Sequence, residues 1–156
     1  MTTSSAAYAV LRSLLEANIP ANPETGGPAI SLRWRGEDGG PLPDVPAPFF
    51  FTMFDASRSG VIEVGGGRGA NRHRNPSSAD VFIFVPNGWG LAPATTLAES
   101  VATIFRPINQ SGVVVESATV YPGGPGSELS IPDMPSEVGN YMWSAVGIEF
   151  YFDLIG

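Results

Sequence analysis

Few residues in this chain could do chemistry, and their types narrow what that chemistry could be. His73 is the only histidine and lies between Arg72 and Arg74 in the run GGGRGANRHRN. A role as base, metal ligand or triad member would need acidic partners brought from far along the chain, so the simpler reading is a solvated loop histidine. Six carboxylates, Asp55, Glu63, Asp80, Glu116, Glu149 and Asp153, lie on or beside apolar segments. Two of them brought together could act as an acid–base pair or hold a divalent cation. No two share a recognised motif, and strand ends and solvent faces also collect Asp and Glu. The expectation is therefore no catalytic residue, no metal ligand and no cofactor.

Missing residue types exclude further chemistry. The chain has no cysteine, which removes disulfides, thiolate metal sites and a cysteine nucleophile. It has no lysine either, since all eight cations are arginine, so Schiff-base and P-loop lysines are also excluded. GGGRG resembles a phosphate-cradling loop only in its glycines. It lacks the Lys-Ser/Thr ending, and no helix follows it directly. Fifteen acids against eight arginines leave a net charge of −7. That argues against general nucleic-acid binding, which needs a cationic face, although an acidic wall could line a conduit through which DNA slides.

Arg68, Arg72 and Arg74, with His73 among them, form the only basic cluster. Arginine is favoured at protein interfaces, so a partner contact is the functional reading and a charged, flexible hairpin tip the bland one. Trp89, in the turn PNGWG, either packs on a surface groove or anchors an interface. Trp143 and Tyr151 join the candidate contact residues because both fall on the less shielded face of the last strand.

The elements that must position these residues follow from periodicity. At 156 residues a single domain over 1–156 is expected. No apolar run approaches the roughly 18 residues of a membrane helix, so no membrane partner is expected. The first segment lacks a basic n-region and reads as a helix rather than a signal peptide. It is capped by Ser4 or Ser5, ends near Asn18, and carries Ala7, Val10, Leu11, Leu14 and Leu15 as its stripe. Ile30, Leu32 and Trp34 alternate as a half-buried strand. Phe49–Asp55 and Val61–Val64 read as strands joined by SRSG in a hairpin. GGGRGANRHRNPSS reads as a loop leading into a central strand, Ala79–Val85. There Val81, Ile83 and Val85 point one way, and Phe82 and Phe84 the other. A second helix runs from about Ala92 to Arg106, burying Leu97, Val101, Ile104 and Phe105. A strand Val113–Tyr121, a long irregular loop Pro122–Asn140 and a last strand Tyr141–Asp153 complete the chain.

This order predicts an α+β fold, a largely antiparallel mixed sheet with two helices packed on one face. Several strands are apolar on both sides, and two helices can cover only one. The second face is then expected to need a partner subunit, unless a second sheet folds over it within the chain.

The arrangement resembles the tail terminator (tail completion) proteins of long, non-contractile-tailed phages and of gene transfer agents. The likeness extends over Ala6 to Asp153 as a pattern and is best in RHRNPSSADVFIFVPNGWGLAPATTLAESVATIF, with the P-x-G-x-G turn and a helix ending in F-R-P. The resemblance implies a structural virion protein of the tail or neck, assembled in the host bacterial cytoplasm, that performs no enzymatic reaction. It implies a homo-oligomeric ring, hexameric in that family, that caps the tail-tube protein and ends its polymerisation. The same ring docks to the head-tail connector or stopper protein, and DNA passes through the lumen without specific binding. Another neck or tail-tube component is the nearest alternative; a small carbohydrate-binding or hydrolase domain using strand-end carboxylates is a more distant one.

Overall fold

The structure is a computed structural model and describes residues 3–23, 26, 30–57, 60–63, 69–106, 108–130 and 136–155. Helix α1 (Ser4–Ala17) begins one residue earlier than its serines suggest. The Thr3 hydroxyl accepts a hydrogen bond from the Ala6 N–H at 3.2 Å and so satisfies one of the orphan first-turn donors. The helix buries Ala7, Leu11 and Leu15, while Val10 and Leu14 are half-buried at the margin of the stripe. Helix α2 (Leu91–Phe105) starts at Gly90, whose φ of 81° suits glycine. It turns Ala94, Leu97, Ala98, Val101, Ala102 and Phe105 inward. The alanines let the helix approach the sheet closely, and the buried Ser144 hydroxyl donates to the Ala94 carbonyl at 2.9 Å.

Seven strands form one sheet: β1 (Ser31–Trp34), β2 (Phe49–Ser57), β3 (Gly60–Glu63), β4 (Arg72–Pro86), β5 (Asn109–Gln110), β6 (Val113–Pro125) and β7 (Tyr141–Ile155). Their order is β1-β2-β4-β7-β6-β5, with β3 also paired to β4. Only β1 and β2 run parallel; the other pairings are antiparallel. The expected α+β class with a largely antiparallel mixed sheet is what the chain forms. A short hairpin absent from the sequence reading joins β5 to β6. Ser111 and Gly112, at φ 53° and 80°, supply the two left-handed residues that a tight hairpin turn requires.

Two strand assignments are corrected. The hairpin does not lie between β2 and β3. Both pair antiparallel with β4, first Phe49↔Phe84 through Ser57↔Ser77, then Gly60↔Arg74 through Glu63↔Arg72. They follow one another along the same side of β4. The stretch Arg72–Ser78, expected as loop, is the first half of β4, whose fifteen residues pair with β7 from Arg72↔Ile155 to Pro86↔Tyr141. Pro76 is tolerated because its position falls between the β2 and β3 pairings, where a missing N–H breaks no ladder bond.

Both helices pack on the face built from Phe50, Val81, Ile83, Val85, Val146, Ile148, Phe150 and Phe152, and together they make the main core. The second face is where the structure departs most from expectation. Its apolar half carries Phe49, Phe51, Phe84 and Tyr141, all at most 3% exposed. They are covered neither by a partner nor by a second sheet. The chain's own long connections do it. Leu42, from the β1–β2 connection, and Leu129 and Val138, from the β6–β7 connection, pack onto these rings. Arg33 secures the first connection, donating to the carbonyls of Gly40 at 2.6 Å and Pro41 at 3.0 Å. Two 3-10 turns, Gly126–Glu128 and Ser136–Asn140, shape the second. Among the described residues only Val45, Ile62 and Tyr121 are large hydrophobics left exposed.

The cover over the second face depends on close backbone approach at Gly126. A Cβ there would stand 2.1 Å from the Val138 carbonyl oxygen and 2.9 Å from that of Tyr141. We expect Gly126→Ala to lower stability in urea unfolding by about 1–3 kcal/mol, the usual cost of overpacking. Gly139→Ala, whose added carbon meets nothing nearer than 3.9 Å, should stay within about 0.5 kcal/mol of wild type.

Candidate functional site

The half of the second face that the connections leave open is polar, and the candidate functional groups gather there. Strand alternation puts Arg72, Arg74, Ser78 and Asp80 of β4 on this side, beside Gly147, Glu149, Tyr151 and Asp153 of β7. Ser117, Thr119 and Tyr121 of β6 and Asp55 of β2 complete it.

At one end Arg74 grips Asp153 with both arms, Nε to Oδ1 at 3.0 Å and Nη2 to Oδ2 at 3.1 Å. Arg72 Nη2 donates to the same Oδ2 at 2.6 Å. The Arg74 guanidinium also stacks on the Tyr151 ring, 4.0 Å from its centroid, a favourable cation–π geometry. The hydrogen bond from Arg74 holds the Asp153 carboxyl below the usual carboxylate range; partial burial opposes this and the bond from Arg72 adds to it. The basic cluster of the sequence is thus largely answered within the chain.

The sequence-predicted contact residues therefore divide. Arg72, Arg74 and Tyr151 come together. His73, between the two arginines, points to the opposite face, in register with Val61 and Leu154. Trp89 packs against the helix-side core. Trp143 belongs to the covered aromatic cluster, its ring 6.0 Å from that of Phe82. Neither tryptophan joins the arginines. Arg68 lies outside the described residues.

A few residues along the same face lies a cavity of about 190 Å³. Asp55, Ser78, Asp80, Thr119, Tyr121, Gly147 and Glu149 line it. Its centre exists because β7 carries glycine at position 147, in register with Asp80. The Tyr121 ring lies over that glycine, since a Cβ there would come within 2.8 Å of Tyr121 Cε2 and 3.5 Å of Asp80 Oδ1. A glycine inside a strand often marks such a close approach, and that is the signal by which this spot could have been found. Asp55 and Asp80 were candidate acids in the sequence; Tyr121 and Gly147 were not singled out. Burial pushes the Asp80 carboxyl up to about 7, reinforced by its hydrogen bond with Asp55 and by the charge of that neighbour. Asp80 therefore keeps its proton up to about neutrality. Ser78 Oγ reaches Asp55 Oδ2 at 3.5 Å, and Ser117 Oγ donates to Glu149 Oε2 at 3.1 Å. Chemically the arrangement offers a protonated carboxyl next to a second carboxyl and an aromatic ring. No three His, Cys, Asp or Glu among the described residues are grouped to hold a metal ion.

Because Asp80 is raised above its unfolded value of 3.8, the unfolded chain releases this proton first as pH rises. Its contribution to stability is fully present below about pH 4 and is lost progressively up to about pH 7. Asp80→Asn should therefore flatten the fall of Tm between pH 4 and 8 and raise Tm at pH 8. A variant that keeps the wild-type slope would rule out this carboxyl as its source.

No protein-family model and no curated protein matches the sequence. Among solved structures, one whose name states no function is similar at a TM-score of 0.51 and 15% identity, covering 96% of this chain and 97% of that one. At that identity the likeness concerns the fold alone, and it spans nearly the whole of both chains.

Proposed function

We propose that this chain is a structural virion protein of a phage or gene transfer agent tail. In this reading it closes into a homo-oligomeric ring, caps the tail tube, ends its polymerisation and joins it to the head connector, and it catalyses no reaction. One coincidence carries the proposal. The pattern from Ala6 to Asp153 resembles tail terminator proteins, and the α+β class which that resemblance implies is the class of this chain. The exposed aromatic face no longer supports assembly, because the chain covers those rings itself. The arginines are better read as intrachain partners of Asp153 than as contact residues.

The test is functional. The purified chain should give a discrete ring-sized oligomer by native mass spectrometry, alone or on its tube. Added to polymerising tail-tube protein, it should shorten the tubes seen by electron microscopy in proportion to its concentration. Tubes of unchanged length would sink the terminator reading, and co-assembly along their length would turn it into a tube subunit.

One observation favours a second reading, a small carbohydrate-binding or hydrolytic domain: the Asp55–Asp80 carboxyl pair, with Asp80 raised, beside the exposed Tyr121 ring. Ligand that binds only the folded state raises Tm. A rise with oligosaccharides or divalent cations that disappears in Asp80→Asn would support that reading over the structural one.

A further inference from the structure

The cavity beside Tyr121 is lined by the carboxyls of Asp55, Asp80 and Glu149 and by the hydroxyl-bearing side chains of Ser78, Thr119 and Tyr121. No lining side chain carries an N–H. Asp80 is met by Met53 and Asp55 from β2, by Gly147 and Glu149 from β7, and by Thr119 and Tyr121 from β6. Every titratable group that faces it is thus a carboxyl or a phenol. Among the described residues no arginine stands within ion-pair reach of Asp55, Asp80 or Glu149. Arg72 and Arg74 are drawn to Asp153 instead.

Size, donor count and the ring decide what fits. The cavity holds about 190 Å³, below the roughly 300 Å³ at which pockets for drug-sized ligands begin, so it suits a small head group. A lining rich in acceptors calls for a group rich in donors, and guanidinium and ammonium groups carry donors alone. The acids do not converge on one point as metal ligands would, since no three His, Cys, Asp or Glu among the described residues are grouped to hold an ion. The Tyr121 ring lies over Gly147, which has no side chain, and is 52% exposed. Its outer face is open to stacking by a cation. The same sheet face already builds this arrangement with a cation of its own: Arg74 forks onto Asp153 and stacks 4.0 Å above Tyr151. Burial, then the hydrogen bond and the charge of Asp55, raises the Asp80 carboxyl to about 7. A cation in the cavity would take the place of that proton.

We infer that this cavity binds a small organic cation, a guanidinium or primary ammonium group held between the Asp55–Asp80 pair and the Tyr121 ring. The inference is independent of the assembly reading. Agmatine supplies a free cation, and N-acetyl-arginine methylamide presents the guanidinium as a protein side chain does. In NMR spectra of the isotope-labelled chain, agmatine should give saturable shifts at the amides of Thr119, Tyr121 and Gly147, and propylurea, a neutral counterpart, should give none. Asp55→Asn and Asp80→Asn should each weaken agmatine binding about tenfold. Tyr121→Ala should weaken it about threefold, and Tyr121→Phe, which keeps the ring, should not. Raising the pH from about 6 to about 8 should tighten binding severalfold as Asp80 loses its proton, and should leave the Asp80→Asn affinity unchanged. Capped arginine binding more tightly than agmatine would assign the cation to a partner protein's side chain, and the reverse order to a free amine; either supports the inference. Absent or unsaturable shifts, equal shifts from propylurea, or wild-type affinity in both Asp variants would overturn it. So would magnesium or an oligosaccharide shifting these amides where agmatine does not. A chain that shortens tail tubes but binds no agmatine would sink this inference and leave the assembly reading standing.

Discussion

The structure depends on covering one pair of strands from both sides. β4 and β7 run antiparallel for fifteen residues each in the middle of the sheet, and in their shared upper half both faces are apolar. Phe84 and Tyr141 point one way; Val85, Val146 and Ile148 point the other. Water on either side would cost roughly 1.5–3 kcal/mol for each large side chain left exposed. The helices meet the demand on one face with a regular stripe. Segments without regular structure meet it on the other, by placing single apolar side chains over stacked rings such as Phe49 and Phe84, whose centroids are 4.7 Å apart. These connections are long and rich in proline because they must cross a sheet face and return, not merely turn.

That cover reaches only part of the way, and the boundary separates the chemistry of the molecule. Beyond it the same face is wet and charged. There β4 and β7 exchange aromatic rings for an Arg74–Asp153 fork stacked on Tyr151 and for a carboxyl pair beside Tyr121. The two charge groups behave oppositely. Asp153 is held ionised by guanidinium donors, while Asp80 is held protonated by burial and by Asp55. Environment, not residue type, separates them.

What was legible in the sequence tracks how regularly each element buries itself. α1 and α2 could be read because Ala7, Leu11 and Leu15, and Leu97, Val101 and Phe105, recur at helical spacing on a single buried side. The upper half of β4 could be read because both its faces are apolar. Its lower half could not. The buried side there is Asn75 and Ser77, with Asn75 Nδ2 donating to the Phe152 carbonyl at 3.4 Å, so no hydrophobic alternation marks it. The cover over the second face was equally silent. Leu42, Leu129 and Val138 are isolated apolar residues in Pro/Gly-rich stretches and have no period. From sequence the aromatic face therefore looked bare, and a neighbour was invoked to shield it. The Arg–Asp–Tyr group needed a contact across 79 residues that only strand register could reveal.

A two-layer subunit constrains which way it can face in a ring. A helix layer adds about 10 Å of thickness to one side of the sheet, and the thicker side takes the longer circumference when the sheet curves. In the proposed assembly the helices would then stand outside and the partly wet face would line the lumen. That wall carries Asp55, Asp80, Glu116 and Glu149. It also carries Arg72 and Arg74, which the sequence alone would have put at subunit contacts. Both arginines hold the single carboxylate of Asp153, so that group keeps one net positive charge beside the carboxyls of Asp55 and Asp80, and phosphates in such a lumen would meet a wall of mixed sign.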